Sequence, residues 1–312
     1  MSNNKNILLC DMGGTHARFA KYVSKGTYSD FKKYRLNDFK SFSDIIEKYI
    51  AQVGQSFQTA RFACARAPVD GVIQYKRHAG DPDYLIDFNA IKTQFLWDDL
   101  TVLNDLSAGA YGLPLLSDTQ TKIILKNNVQ PWNDRKIIIS VGTGVGHSGV
   151  HNNQILDTPG GHYFPPIITD EHKRLESFIR NNKDKNFALI IEDFVSGRGL
   201  RSITEFISNK SNNDLKPDEF INHLKHYPDA IRLFFEFLGI HANTITAATG
   251  YYGGVYLAGG VIDNLIINNL TDWKAFEKYF RPALVQSMTH RLNGTSVSYV
   301  THDELPLLGL TS

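Results

Sequence analysis

One pattern occurs twice in this chain and limits its fold more than any other feature: an apolar strand, a glycine-rich turn and a returning strand. The first copy, "NILLCDMGGTHARFAKYV", opens the sequence; Ile7, Leu8 and Leu9 are apolar and the return leg alternates around Phe19 and Tyr22. The second copy, "RKIIISVGTGVGHSGVH", follows about 130 residues later, a distance that predicts duplicated halves. Between them, "KKYRL" reads as a third strand, "SFSDIIEKYIAQV" as a helix, "ARFACARA" as a strand, "DFNAIKTQFLW" as a helix, "LTVLND" as a strand and "LSAGAYGLP" as a short helix stopped by glycine and proline. After the second copy the apolar spacing is helical across "ALIIEDFVSGRGLRSITEFI", "PDEFINHL" and "PDAIRLFFEFLGIHANTITAAT", before a strand at "GGVYLAGGVI". The expectation is an α/β chain with a smaller domain over 1–106 and a larger, mostly helical one over 107–312.

Composition sets the outer bounds. A chain of 312 residues with 42% hydrophobic content can bury two cores. Lys and Arg number 33 against 32 Asp and Glu, so the net charge of +1 gives no basic footprint for nucleic acid. The partners expected are small molecules or other protein chains. Cys10 and Cys64 lie in apolar runs without a CxxC pair, which argues against a disulfide framework or a structural zinc site and for a reducing cytoplasm. The first apolar run is short and ends at Asp11, and nowhere do about 18 uncharged apolar residues follow one another, so neither a signal peptide nor a membrane span is expected.

Four segments carry residue types suited to chemistry. "DMGGTHAR" places Asp11 at the end of a buried strand and follows it with Gly13, Gly14 and Thr15. Backbone N–H groups beside glycines can approach a phosphate, the threonine hydroxyl adds a donor, and a carboxylate can hold Mg²⁺ through water; a plain hairpin tip would use the same glycines. "VGTGVG" offers a second set of donors at Gly142, Thr143 and Gly144, but opens no helix, so it makes a poor dinucleotide fingerprint. "YLAGGVIDN" ends a strand in Ala258, Gly259 and Gly260, where bare backbone suits either an adenine or ribose face or a strand-to-helix turn. "LNDLSAGA" puts Asn104 and Asp105 at the carboxyl end of a strand, where open α/β sheets collect ligands. Asp105 reads as a helix cap or, beside phosphate-binding turns, as the carboxylate that accepts an alcohol proton during phosphoryl transfer.

In this order and spacing, "DMGGTHARFA", "VLNDLSAGAYGLP", "VGTGVG", "GGHYFPP", "EDFVSGRGL", "GGVYLAGGVI", "FRPAL" and "HDELPLLGL" resemble the bacterial glucokinase family. The resemblance runs through nearly the whole chain. It implies a two-domain actin-like ATPase fold with duplicated ribonuclease H-like halves, and transfer of the ATP γ-phosphoryl group to the 6-hydroxyl of a hexose with Mg²⁺. Carried over at matching positions, it makes Asp105 the catalytic base, with Asn104, His162 and Glu192 holding sugar hydroxyls. Asp11, Gly13, Gly14 and Thr15 would serve metal and phosphates from one domain, and Gly142, Thr143 and Gly144 from the other, with Gly259 and Gly260 against the nucleotide. It also implies a homodimer.

Two departures are visible. The family has glutamate immediately before Gly-Gly-His, where Pro159 stands here, so one acceptor for the sugar is missing. Losing one such charge-assisted bond costs about 1.5–3 kcal/mol. The chain also ends at "LPLLGLTS", where the family runs on into a final helix on the N-terminal domain, and whether these last residues return to that domain is open. Zinc-binding relatives carry a cysteine cluster after the histidine; none is present here. Glucose is the default sugar. A different or N-acetylated hexose, and a sensor that binds without turnover, are the alternatives; retention of Asp105 speaks against the sensor.

Overall fold

Continuous apolar runs build the first strand of each repeat, buried on both faces, and their pairing turns the repeated sequence pattern into a repeated sheet. The computed structural model describes residues 6–66, 68–75, 84–158, 160–184, 186–212 and 214–312, and the chain divides into two compact units. The first holds residues 1–117, 152–155 and 302–312. Its elements are β1 (Ile7–Met12), β2 (His16–Ser24), β3 (Thr27–Arg35), α1 (Phe42–Val53), β4 (Thr59–Cys64), β5 (Val72–Tyr75), β6 (Tyr84–Asp87), α2 (Phe88–Gln94), β7 (Asp99–Asn104) and α3 (Asp105–Gly112). The main sheet runs β3-β2-β1-β4-β7, with β1 antiparallel to β2 and parallel to β4, and β4 parallel to β7. Helix α1 is fixed at both ends. A Ser41/Asp44 capping box satisfies its first N–H groups, Gly54 closes it at φ 66°, and Ile45, Ile46 and Tyr49 carry its buried face into the core with Phe19 and Phe62.

The second unit holds residues 118–151 and 156–301. It adds β8 (Thr121–Leu125), β9 (Lys136–Val141), β10 (Val145–His151), β11 (Gln154–Asp157, of which Gln154 and Ile155 group with the first unit), α4 (Asp170–Asn182), α5 (Gly197–Ser208), α6 (Pro217–Leu224), α7 (Pro228–Thr249), β12 (Gly254–Ala258), α8 (Gly260–Ile267), α9 (Trp273–Phe280), α10 (Gln286–Asn293) and β13 (Val297–Val300). Its sheet runs β11-β10-β9-β12-β13-β8, with β9 antiparallel to β10 and parallel to β12, and β12 parallel to β13. Setting β8 aside, β9, β10, β11, β12 and β13 take the places that β1, β2, β3, β4 and β7 hold in the first sheet. The duplicated halves are thus the same five-strand order built twice. Helix α7 is buried along most of its length and forms the centre of the larger core.

Two expectations shift. The break falls after Ser117, beyond 106, because α3 follows β7 directly and packs within the first unit. A final helix, α11 (Leu305–Gly309), belongs to that unit too. It packs on α3 so closely that a Cβ on Gly309 would overlap the Ala108 carbonyl oxygen, and Arg61 Nη1 donates to the Leu310 carbonyl at 2.7 Å. The helix expected from "ALIIEDF" onward also starts late. Residues 188–196 form extended chain and a short 3₁₀ turn at Ile191–Asp193, and α5 begins only at Gly197, where the Ser196 hydroxyl accepts from Gly199 N–H. Cys10 and Cys64 are both buried and free.

Candidate active site

In the first unit the carboxyl ends of three parallel strands bring the expected residues together. Register aligns Met12 with Cys64 and Cys64 with Asn104, so Asp11 and Asp105 end strands that lie two apart, about 10 Å across the sheet. Asp11 is almost fully buried, and Arg18, its register partner on β2, donates to Oδ2 at 2.9 Å. Burial raises the Asp11 pKa and Arg18 opposes the rise. Asn104 caps α3, its Oδ1 accepting from Leu106 N–H at 3.0 Å, and Asp105 Oδ1 accepts from the same N–H at 2.8 Å. Asp105 is therefore held by the helix start, with no ion pair among the described residues. Burial, and then repulsion from Asp11, push its pKa up to about 6. Gly13 and Gly14 lead out of β1, with Gly14 and Thr15 exposed.

The second unit gathers the others in the same way. The turn after β9 carries Gly142, Thr143 and Gly144, and the turn after β12 carries Gly259 and Gly260 beside it, with the Gly259 α-carbon so close that a Cβ would sit 2.5 Å from the Val141 carbonyl oxygen. Glu192 lies against Gly144. Its Oε2 accepts from Val145 N–H at 3.2 Å and its Oε1 from Arg198 at 3.2 Å. The structure thus joins Glu192, expected at the sugar, to the turn expected at the phosphates.

The Gly-Gly-His loop is stitched to both. Gly161 N–H donates to the Val145 carbonyl at 3.1 Å, and Glu192 N–H donates to the Gly161 carbonyl at 3.3 Å. Gly160 takes φ +70°, and a Cβ there would stand 2.6 Å from the Gly146 α-carbon, so these glycines are required by the approach of the loop to β10. His162 is exposed and borders a cavity of about 590 Å³ lined also by Phe178, Lys183, Asp193 and Arg198. Sequence reading missed these last three. Arg198 bridges Glu192 and Asp193, a partnership that "EDFVSGRGL" carries only as unpaired letters, and Lys183, from outside that motif, pairs with Asp193. Pro159 lies outside the described residues. Asp11, Asn104 and Asp105 belong to one unit, and His162, Glu192 and the Gly142–Gly144 turn to the other.

The glucokinase family model matches residues 8–312. The chain belongs to the glucokinase family. A glucokinase from Erwinia tasmaniensis is 24% identical over 93% of this chain and 94% of its own length. Other relatives are longer bifunctional proteins, such as one from Burkholderia orbicola of which this chain spans 48% at 26% identity, covering 98% of this chain. Among solved structures, a glucokinase from an Antarctic psychrotroph superposes with a TM-score of 0.82 at 23% identity, covering 98% of this chain and 97% of that one. A glucokinase from Balamuthia mandrillaris, solved in complex with glucose, gives 0.77 at 22% identity, covering 98% and 92%. The actin-like sugar-kinase fold follows, and with the family goes ATP-dependent phosphorylation of a hexose. Among the described residues no helix is long and apolar enough to cross a membrane.

Proposed function

We propose that this glucokinase-family chain transfers the γ-phosphoryl group of ATP to the 6-hydroxyl of glucose, with Asp105 as the base. The observation that carries the reading is the Asp105 carboxylate. It sits at a strand end, is half-buried with no ion pair among the described residues, and its pKa of about 6 leaves it ionised yet basic enough to take a proton near neutral pH. Asn104 and Asp105 orient the attacking hydroxyl, and His162 and Glu192 hydrogen-bond the remaining sugar hydroxyls. Gly13, Gly14 and Thr15 in one unit, and Gly142, Thr143, Gly144, Gly259 and Gly260 in the other, present backbone and hydroxyl donors to the nucleotide.

Mg²⁺ belongs to the same proposal. Among the described residues no cluster of three His, Cys, Asp or Glu side chains forms a metal cage. A cation that arrives on a nucleotide needs only one carboxylate and water, and Asp11 fits that demand. When bound, the ion neutralises charge on the phosphates. A homodimer, as the family resemblance implies, and a cytoplasmic location, where ATP and glucose meet and where free buried thiols persist, complete the reading.

A coupled ADP-release assay over a hexose panel, with Asp105→Ala as control, tests it. Glucose-stimulated release that the variant abolishes supports the proposal. Release with no sugar above the variant's level overturns it in favour of a sensor. Turnover of another hexose but not glucose reassigns the substrate, the outcome that Pro159 in place of the family glutamate would explain.

A further inference from the structure

A buried histidine in the second unit is joined to the sugar loop by a bond that the reaction itself does not require. Tyr163 follows His162 directly, and its hydroxyl lies 2.7 Å from Nδ1 of His241, with the two rings stacked at 16°. His241 is fully buried within α7. The ring also meets His147 of β10 edge-on, with centroids 5.8 Å apart. The tyrosine is clamped by its backbone as well, because Ile191 N–H donates to the Tyr163 carbonyl at 2.9 Å. Tyr163 therefore stands between His162, its neighbour in sequence, and Glu192, the residue after Ile191. Thr158 Oγ1 donates to the His147 carbonyl at 3.2 Å, anchoring the start of the same loop to β10.

The protonation states keep this link fixed. Burial pushes the His241 pKa down to about 3 and that of His147 to about 4, while it raises the Tyr163 phenol, so all three stay neutral across the physiological range. A neutral imidazole offers one ring nitrogen as acceptor, and Nδ1 is the one the phenol reaches. Buried polar side chains in an apolar helix are retained at a cost unless they hold something in place. Here what they hold is the loop.

We propose that His241 is a positioning residue for the sugar: through the Tyr163 hydroxyl it fixes the backbone that carries His162 and abuts Glu192, and so sets affinity for the hexose. The inference rests on the assignment of that loop to the sugar made above. The test measures glucose binding by calorimetry, the KM values for glucose and ATP, and thermal melting for wild type, His162→Ala, Tyr163→Phe, His241→Leu and His241→Asn. Tyr163→Phe removes only the hydroxyl and keeps the ring; because that hydroxyl also bonds Thr244, a Thr244→Val control separates the two links, and the pair reads the His241 bond even if His241→Leu fails to fold. The expected result is a rise of about five- to tenfold in glucose KM and Kd for Tyr163→Phe, with KM for ATP within about twofold. His241→Asn, whose amide reaches roughly where Nδ1 lies, recovers most of that loss. A Tyr163→Phe protein with wild-type glucose affinity, while His162→Ala is impaired, overturns the positioning role alone. If His162→Ala is also unimpaired, or if wild type binds no hexose, the loop assignment falls and the positioning role falls with it.

Discussion

Replacing Asp105 by Asn should stabilise the protein while abolishing its turnover, and both signs follow from one pKa. The carboxyl rises from 3.8 to about 6 on folding, chiefly because burial penalises its charge and secondly because Asp11 repels it. A carboxylate whose pKa is raised in the folded state stabilises the fold only when protonated. That contribution is fully present below the unfolded pKa near 3.8 and is lost as pH rises through about 6. The rise corresponds to about 3 kcal/mol at full strength, and to about 1–2 kcal/mol once water reaching this partly exposed group is allowed for. Asparagine keeps an oxygen for the Leu106 N–H bond and carries no charge to bury. Urea unfolding followed by fluorescence, with Trp97 buried in the same unit, should therefore show Asp105→Asn more stable than wild type at pH 7.5, with the gap closing below pH 6 and gone near pH 4. The same substitution should lower kcat by about 10²–10⁴-fold, and wild-type kcat/KM should fall tenfold per pH unit below about 6. An Asp105→Asn protein less stable than wild type at pH 7.5, or a gap that does not depend on pH, would refute the account of why this carboxylate is basic.

Gly14→Ala and Gly142→Ala should leave the melting temperature nearly unchanged but raise KM for ATP, since a Cβ at either position meets nothing within 4 Å in the folded chain. Gly161→Ala should instead lower stability by about 1–3 kcal/mol, because its Cβ would press to 2.8 Å on the Val145 carbonyl oxygen. Glu236→Gln should cost about 3 kcal/mol or more in urea unfolding, since the carboxylate takes His172 Nε2 at 2.8 Å and Arg232 Nη1 at 2.9 Å in a buried setting. Although burial alone would raise the Glu236 pKa, His172 and Arg232 lower it, so this stabilisation is present above the ordinary carboxylate range and disappears as acid protonates the group. Gly309→Ala should destabilise the first unit or prevent its folding, as the added methyl overlaps the Ala108 carbonyl on α3; soluble yield and melting temperature read it out.

How much of this was visible in the letters depends on the distance over which each feature is decided. The two hairpins were legible because alternation and glycine turns are local, and β1, β4 and β7 announced themselves as apolar runs. Short strands such as β8 and β13 were not. Each is made by its pairing, and β13 joins β8 across the sequence at Val300 and Thr121. Helix α4 escaped because "DEHKRLESFIRNN" buries only His172, Leu175 and Ile179, too thin a stripe to outweigh its charge. The stretch "ALIIEDF" misled in the other direction, since its apolar letters suit a helix while Asp193 ties the turn by accepting from Ile190 N–H. At the site, Asn104 and Asp105 were readable because a motif at a strand end fixes where they stand. Tyr163 and His241 were not, because their bond joins positions 78 apart and a histidine within an apolar helix reads as core.

The glycines show most clearly what sequence and structure each contribute. A glycine has two reasons to exist that letters alone do not separate: the fold leaves no room for a Cβ, or something outside the chain does. Gly160, Gly161 and Gly259 have the first reason, each lying where a Cβ would collide with backbone of the same unit. Gly14, Gly142 and Gly260 lack it. Their φ angles lie outside the left-handed range that favours glycine, and a Cβ would meet nothing within 4 Å. In the free chain alanine would cost little at these three positions, so their occupation by glycine calls for a close approach that the folded protein does not itself make. All three follow the carboxyl ends of central strands: Gly14 and Gly142 those of β1 and β9, which hold equivalent places in the two sheets, and Gly260 that of β12, the neighbour of β9. In the function proposed above, that close approach is a nucleotide phosphate or ribose cradled by backbone N–H groups. The motif "GGH", in contrast, has glycines that its packing on β10 already requires, and only its histidine stands exposed beside a cavity.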